Sequence, residues 1–201
     1  MQPTLLSTMT VRAPSRGLQT VERVAAVVFV TILTAIAAQV SVPLPFTPVP
    51  FTFQPMVVLV GAAALGARLG AASQVLYLLL GVAGLPVFAA SPSLAQGAGR
   101  LLGPTGGYLM SYPLAAYVAG TLAERGFDRR YLTASLAMTC GLAVVFAGGI
   151  CWLALYAQPA GGFAGAIRVG FTPFIAADLV KLLIAAGVMP SLWWLRTRRD
   201  R

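Results

Sequence analysis

The chain has 201 residues, of which 58% are hydrophobic and only 9% charged, with a mean hydropathy of +0.84. A soluble domain carries about 25% charged residues, so this composition cannot build a water-exposed surface, and its apolar content excludes disorder. The net charge of +9 comes with no histidine, which removes His-based metal sites and triads. In so apolar a chain the basic excess reads as loops beside a membrane, not as a nucleic-acid surface.

The apolar runs are continuous, not alternating, and so predict helices instead of a transmembrane barrel. At roughly 20 residues per crossing, six crossings fit. The expected class is an all-α integral membrane protein with six transmembrane helices. It divides into an N-terminal arm, 1–23, a six-helix membrane domain, 24–195, and a basic tail, 196–201. The helices are expected over 24–40, 54–67, 71–85, 105–123, 132–156 and 174–195, with Arg68 and Gly70 at the turn between the second and third. Cys140 and Cys151 share the fifth run and read as buried, inert thiols.

Charge gives the orientation. With the N-terminus inside, eleven arginines fall in inside segments: Arg12, Arg16, Arg23, Arg68, Arg125, Arg129, Arg130, Arg196, Arg198, Arg199 and Arg201. Only Arg100 and Arg168 fall outside. Positive residues favour cytoplasmic loops, so both termini are expected in the cytoplasm.

The outer loop 41–55 holds Pro43, Pro45, Pro48, Pro50 and Pro55 among apolar residues. Proline fixes its own backbone angle and lacks an amide hydrogen, so the segment is stiff and cannot be a regular helix. It is either a connector dipping into the interface or a lid over a cavity. The second long loop, 86–104, leads into Gly103, Gly106 and Gly107, where the backbone can approach a ligand closely. Thr105 reads as the cap of the fourth helix. No Walker-type phosphate loop is present in the sequence.

Asp178 and Lys181 are the one acid and base deep in an apolar run. At spacing i, i+3 they share a helix face. Each ionised group at mid-membrane costs roughly 2.5–3.5 kcal/mol, which either a mutual ion pair or a polar ligand offsets. In the first helix, Thr31, Ala35 and Ala38 form a small-residue stripe suited to close helix contact, within this bundle or with a second membrane protein.

Taken together, SVPLPFTPVPFTFQ, LGARLGAASQVLYLLLGVAGLPVF, LLGPTGGYL with SYPLAAYVAGTLAERG, and FTPFIAADLVKLLIAA resemble the BioY family. These are the biotin-specific substrate-binding (S) components of energy-coupling-factor transporters. The segments cover most of residues 35–188. The resemblance implies a multi-pass protein of a prokaryotic plasma membrane that takes up biotin and is not an enzyme. It implies biotin bound near the outer face under loops 41–55 and 86–104, and no cofactor. Its implied partners are a transmembrane coupling subunit and two cytoplasmic ATPases, with the 31/35/38 stripe as docking face. Asp178 and Lys181 are the implied biotin contacts, with Gln96 matching a polar position ahead of the Gly-Pro-Thr-Gly-Gly segment.

The chemistry fits that ligand. Biotin has ureido N–H donors, a ureido carbonyl, an apolar thioether ring and a carboxylate tail. Asp178 can accept a ureido N–H, and Lys181 can donate to the carboxylate or the ureido oxygen. Phe46, Phe53 and Tyr108 suit the apolar ring, with Gly107 beside them. Which end of biotin meets which residue stays open. A membrane enzyme with Asp178 as general acid or base is the competing reading, but no histidine, metal cluster or positioned nucleophile accompanies it.

Overall fold

Continuous apolar sequence produces long helices joined by short turns and two longer loops. In the computed structural model, residues 4–10, 15–91, 95–156 and 161–199 are described. The helices are α1 Leu5–Thr10, α2 Arg16–Gln39, α3 Gln54–Leu65, α4 Ala67–Val82, α5 Ala98–Leu102, α6 Gly106–Ala123, α7 Tyr131–Tyr156, α8 Gly162–Gly170 and α9 Ile175–Arg199. A short 3-10 turn, Phe127–Arg129, separates α6 from α7. The two-residue strands β1, Ser41–Val42, and β2, Phe51–Thr52, pair antiparallel with Ser41 opposite Thr52.

Six of these helices correspond to the six expected runs. Three of them, α2, α7 and α9, are long and apolar enough to cross a membrane; α3 and α4 are shorter apolar helices. Several boundaries move. α2 begins at Arg16, eight residues before the expected start, because Ser15 accepts a hydrogen bond from the Leu18 amide and caps it. The 1–23 arm is therefore partly the first turns of α2. The turn between α3 and α4 falls at Gly66, not at Arg68 and Gly70: its φ of 87° lies where side chains with a Cβ are strained. Glu124 then caps α4 from outside, accepting from the Ala67 amide at 2.9 Å. Between the fifth and sixth expected runs, where no helix was expected, lies a further helix, α8.

α6 is the centre of the bundle, packed on α3, α4 and α7. Its buried face is built of Ala115, Ala116, Ala119, Gly120 and Ala123. Small side chains allow close backbone approach, the main source of helix association in lipid. At Gly120 the requirement is strict, since a Cβ there would lie 2.5 Å from the Ala67 nitrogen.

The small stripe on α2 turns inward. Thr31 and Ala38 are buried, and half-buried Ala35 packs on the main core. The Thr31 hydroxyl donates to the Val27 and Ser73 carbonyls, both at 2.9 Å, and Gln74 of α4 donates to Thr34. Burying these polar groups against α4 satisfies them inside the bundle, where lipid would not. The docking expectation for Thr31, Ala35 and Ala38 is corrected accordingly: the stripe joins α2 to its own bundle. Cys140 is half-buried and Cys151 is exposed on α7, so the thiols are not both interior.

Candidate functional site

α3 has 12 residues, about 18 Å of helix against a hydrocarbon core of roughly 30 Å. Ahead of it, residues 40–53 hold two short strands and no helix. Irregular backbone in an apolar protein is tolerated where it is buried or lines a cavity. Here it does the latter. The β1–β2 pairing folds the proline-rich segment into a small hairpin, so it is less extended than its prolines suggest.

The hairpin is fastened at both ends. Gln39 donates to the Pro86 and Phe88 carbonyls at 3.2 and 3.3 Å, and Ser41 donates to Ala90 at 2.6 Å. Gln54, at the start of α3, donates to the Tyr77 hydroxyl at 2.7 Å, and Tyr77 donates on to Val87 at 3.1 Å. These bonds tie loop 41–55 to the loop after α4.

Beneath the two loops lies a cavity. Its walls include Val49, Pro50, Thr52, Gln54 and Pro55 from the hairpin side and Ala89, Arg100 and Thr105 from the second loop. The bundle contributes Tyr108, Leu109 and Tyr112 of α6, Leu142, Val145 and Phe146 of α7, then Phe174, with Asp178 and Lys181 of α9. Its volume, over positions open to the centre of a water molecule, is about 60 Å³. One water needs about 10–15 Å³ on that measure, so there is room for several waters or part of a small organic ligand.

Asp178 and Lys181 form an ion pair, both side chains nearly buried. Lys181 also donates to the Thr52 carbonyl at 2.7 Å, and its ammonium lies 3.9 Å from the centre of the Phe51 ring. One turn of α9 thus neutralises its own charge and holds the hairpin. Tyr108 stands in the cavity wall, its hydroxyl donating to the Gly170 carbonyl at 2.8 Å, and its ring meets Phe146 edge-on at 6.4 Å.

The structure brings Asp178, Lys181 and Tyr108 together and leaves four other expected residues outside the cavity wall. Gln96 is exposed on the second loop. Phe46, at the hairpin tip, is 61% exposed. Phe53 is 39% exposed, and its ring centre is 5.7 Å from the Lys181 ammonium without lining the cavity. Gly107 packs against α7, where a Cβ would meet the Trp152 side chain at 2.2 Å; its missing side chain serves helix packing, not ligand approach. Thr105 does not cap α6 with its side chain, and its buried hydroxyl has no hydrogen-bond partner.

Sequence reasoning missed several wall residues. Tyr112 follows Tyr108 by one helical turn and shares its face, a spacing that could have flagged it. Gln54 was visible as the one amide opening an apolar helix. Arg100, counted above as an outer-loop cation, is only 2% exposed. One of its nitrogens donates to the Ala89 carbonyl, while Nε and Nη1 are buried without a partner. Burial draws its pKa down from the ordinary guanidinium value, yet arginine stays charged at neutral pH. Nothing local in GAGRLLGP announced that burial.

Comparison with known proteins decides the family: the BioY family model matches residues 8–198. The chain belongs to the BioY family. It is 40% identical over 169 residues to the biotin transporter BioY of Thermotoga maritima, covering 84% of this chain and 94% of that protein. With the probable biotin transporter BioY of Pyrococcus horikoshii it shares 39% identity over 160 residues, covering 80% and 89%. A crystal structure of the S-component for biotin from an ECF-type ABC transporter superposes with a TM-score of 0.77 at 24% identity, over 90% of this chain and 94% of that one. This BioY chain is thus a multi-pass membrane protein with the S-component fold.

Proposed function

We propose that this BioY protein is the biotin-binding S component of an energy-coupling-factor transporter and serves biotin uptake, not catalysis. The observation that carries the reading is the buried Asp178–Lys181 pair opening on an aromatic-walled cavity beneath two loops, in a chain of this family. The pair supplies a carboxylate acceptor and an ammonium donor to a ligand that has both N–H donors and acceptor oxygens. Tyr108, Tyr112, Phe146 and Phe174 supply the apolar surface that a bicyclic ring needs. In this reading Asp178, Lys181 and Tyr108 contact biotin, and Gln96, Phe46, Phe53 and Gly107 do not.

The protein crosses a prokaryotic plasma membrane six times, with both termini cytoplasmic and the cavity toward the outer face. The arginine distribution supports this orientation: Arg125, Arg130 and Arg196 lie at the end of the bundle opposite the cavity. Energy for accumulation comes from a transmembrane coupling subunit and two ATPases. Mass spectrometry of small molecules carried by detergent-purified protein tests the ligand; biotin is expected, and calorimetry with no biotin binding would refute the reading. Impermeant thiol labelling of intact cells tests orientation, using Gln96→Cys and Arg125→Cys in a background without Cys140 and Cys151. Labelling at 96 and not at 125 is expected, and the reverse would invert the topology.

A further inference from the structure

A second, larger space opens at the far end of the bundle. It is a cleft of about 530 Å³ between α1, α2, α4 and α6, within the range of about 300–1,000 Å³ typical of ligand sites. Two arginines from different helices face it, Arg23 of α2 and Arg68 of α4. Both are exposed, and neither has a carboxylate within ion-pairing distance among the described residues. One carboxylate shares the cleft, that of Glu124, and it is engaged with the Ala67 amide at 2.9 Å. Two cations against one anion leave the lining positive.

The depth of these arginines is fixed by the sequence around them. Arg68 is the one charged residue between Arg23 and Arg100. After Arg23, residues 24–39 of α2 carry no charge and span about 24 Å, most of a hydrocarbon core. Arg23 therefore stands where hydrocarbon gives way to headgroups. Tyr117, 49% exposed in the same lining, is of the residue type that gathers at that level. Beside the charges, Leu65 and Leu69 give the cleft an apolar wall. A soluble anion has no use for such a wall; a lipid needs both parts.

We infer that this cleft binds the headgroup of an anionic phospholipid, with Arg23 and Arg68 on its phosphate and the leucines against its glycerol and upper acyl chain. Guanidinium groups match phosphate oxygens in geometry and charge, and basic pockets between membrane helices take lipid headgroups in this way. The site is separate from the substrate cavity and independent of the biotin reading. Its assignment to the inner leaflet rests on the orientation proposed above.

Native mass spectrometry of the full chain, purified and delipidated in mild detergent, tests the inference. Phosphatidylglycerol, phosphatidylcholine and glycerol 3-phosphate are titrated into wild type, Arg23→Gln, Arg68→Gln and Arg125→Gln, each first checked by size-exclusion chromatography. Wild type is expected to bind phosphatidylglycerol about fivefold or more tightly than phosphatidylcholine. Arg23→Gln and Arg68→Gln should each weaken phosphatidylglycerol about fivefold, the worth of one basic residue at an anionic surface. Arg125→Gln, an equal change in charge outside the cleft lining, should stay within about twofold. Equal loss in Arg125→Gln would make the attraction diffuse and overturn the site. A wild type indifferent to headgroup charge would overturn it too. Glycerol 3-phosphate bound as tightly as the lipid would assign the cleft to a soluble phosphate ester instead. Unchanged lipid binding in Arg23→Gln and Arg68→Gln, with loss of co-purification with a coupling subunit, would make it a protein interface and refute the lipid assignment.

Discussion

The two ends of the bundle both bury charge, and they treat it differently. At the end away from the cavity, buried Asp128 has partners within the chain, although its Oδ1 carries no hydrogen bond. Asp128 accepts from the Trp193 indole at 2.6 Å and faces Arg129 at 3.9 Å, while Arg129 lies over the Trp193 ring at 3.8 Å. Glu124 caps α4, and Arg196 donates to Thr8 of α1. At the cavity end, Arg100 and Thr105 keep donors without acceptors among the residues that line the cavity. Internally satisfied charge fastens an architecture; unsatisfied buried charge around a cavity calls for a ligand.

Substitutions can break this contrast. The largest effect is expected where neither end is concerned, at the inward stripe. Ala38→Trp forces a large ring into a fully buried position and should abolish folded protein in detergent, losing biotin binding with it. Leu33→Trp, on the exposed face of α2, should not. A folded, binding-competent Ala38→Trp that fails to assemble with a coupling subunit would restore the stripe as a docking face.

At the cavity end, Asp178→Asn and Lys181→Ala should each weaken biotin binding by roughly tenfold to over a hundredfold, read by calorimetry. The Lys181 change also strands Asp178 and releases the Thr52 carbonyl, so it should lower thermal stability as well. Wild-type affinity in both variants would remove the pair from the site.

At the opposite end, Asp128→Ala should cost about 1–3 kcal/mol of stability by orphaning the Trp193 indole, while biotin affinity stays at the wild-type level. Reduced affinity there would mean the two ends are coupled. Burial raises the Asp128 pKa above its ordinary value, with the Trp193 hydrogen bond and Arg129 opposing. A folded pKa above the unfolded one gives stability that is fully present below the unfolded pKa and lost as pH rises through the folded pKa. Asp128→Asn should flatten that part of the melting-temperature profile, and an unchanged slope would assign it elsewhere. The smallest effect is expected from Gln96→Ala, which touches an exposed loop residue and should leave affinity within about twofold.

The helices themselves were legible. Apolar runs predicted six long segments close to α2, α3, α4, α6, α7 and α9, because lipid leaves the backbone no partner but itself and makes a continuous apolar run helical. Asp178 and Lys181 were legible for a related reason: the cost of charge in an apolar run is a property of the run, visible without its neighbours. The stripe at Thr31, Ala35 and Ala38 was visible as a stripe, but its direction was not, since small residues mark a contact and do not say with what.

Sequence by itself determined the membrane class, the approximate positions of the six expected helical runs and the presence of two charges in one of them, all of which follow from local composition. Only the tertiary structure decided what faces what. It buried Arg100 under Ala89, folded the proline segment back so that Thr52 meets Lys181 across 129 positions of sequence, and put Gln96 and Phe46 outside. Burial of a loop residue depends on which distant helices close around it, and no window of sequence contains that contact.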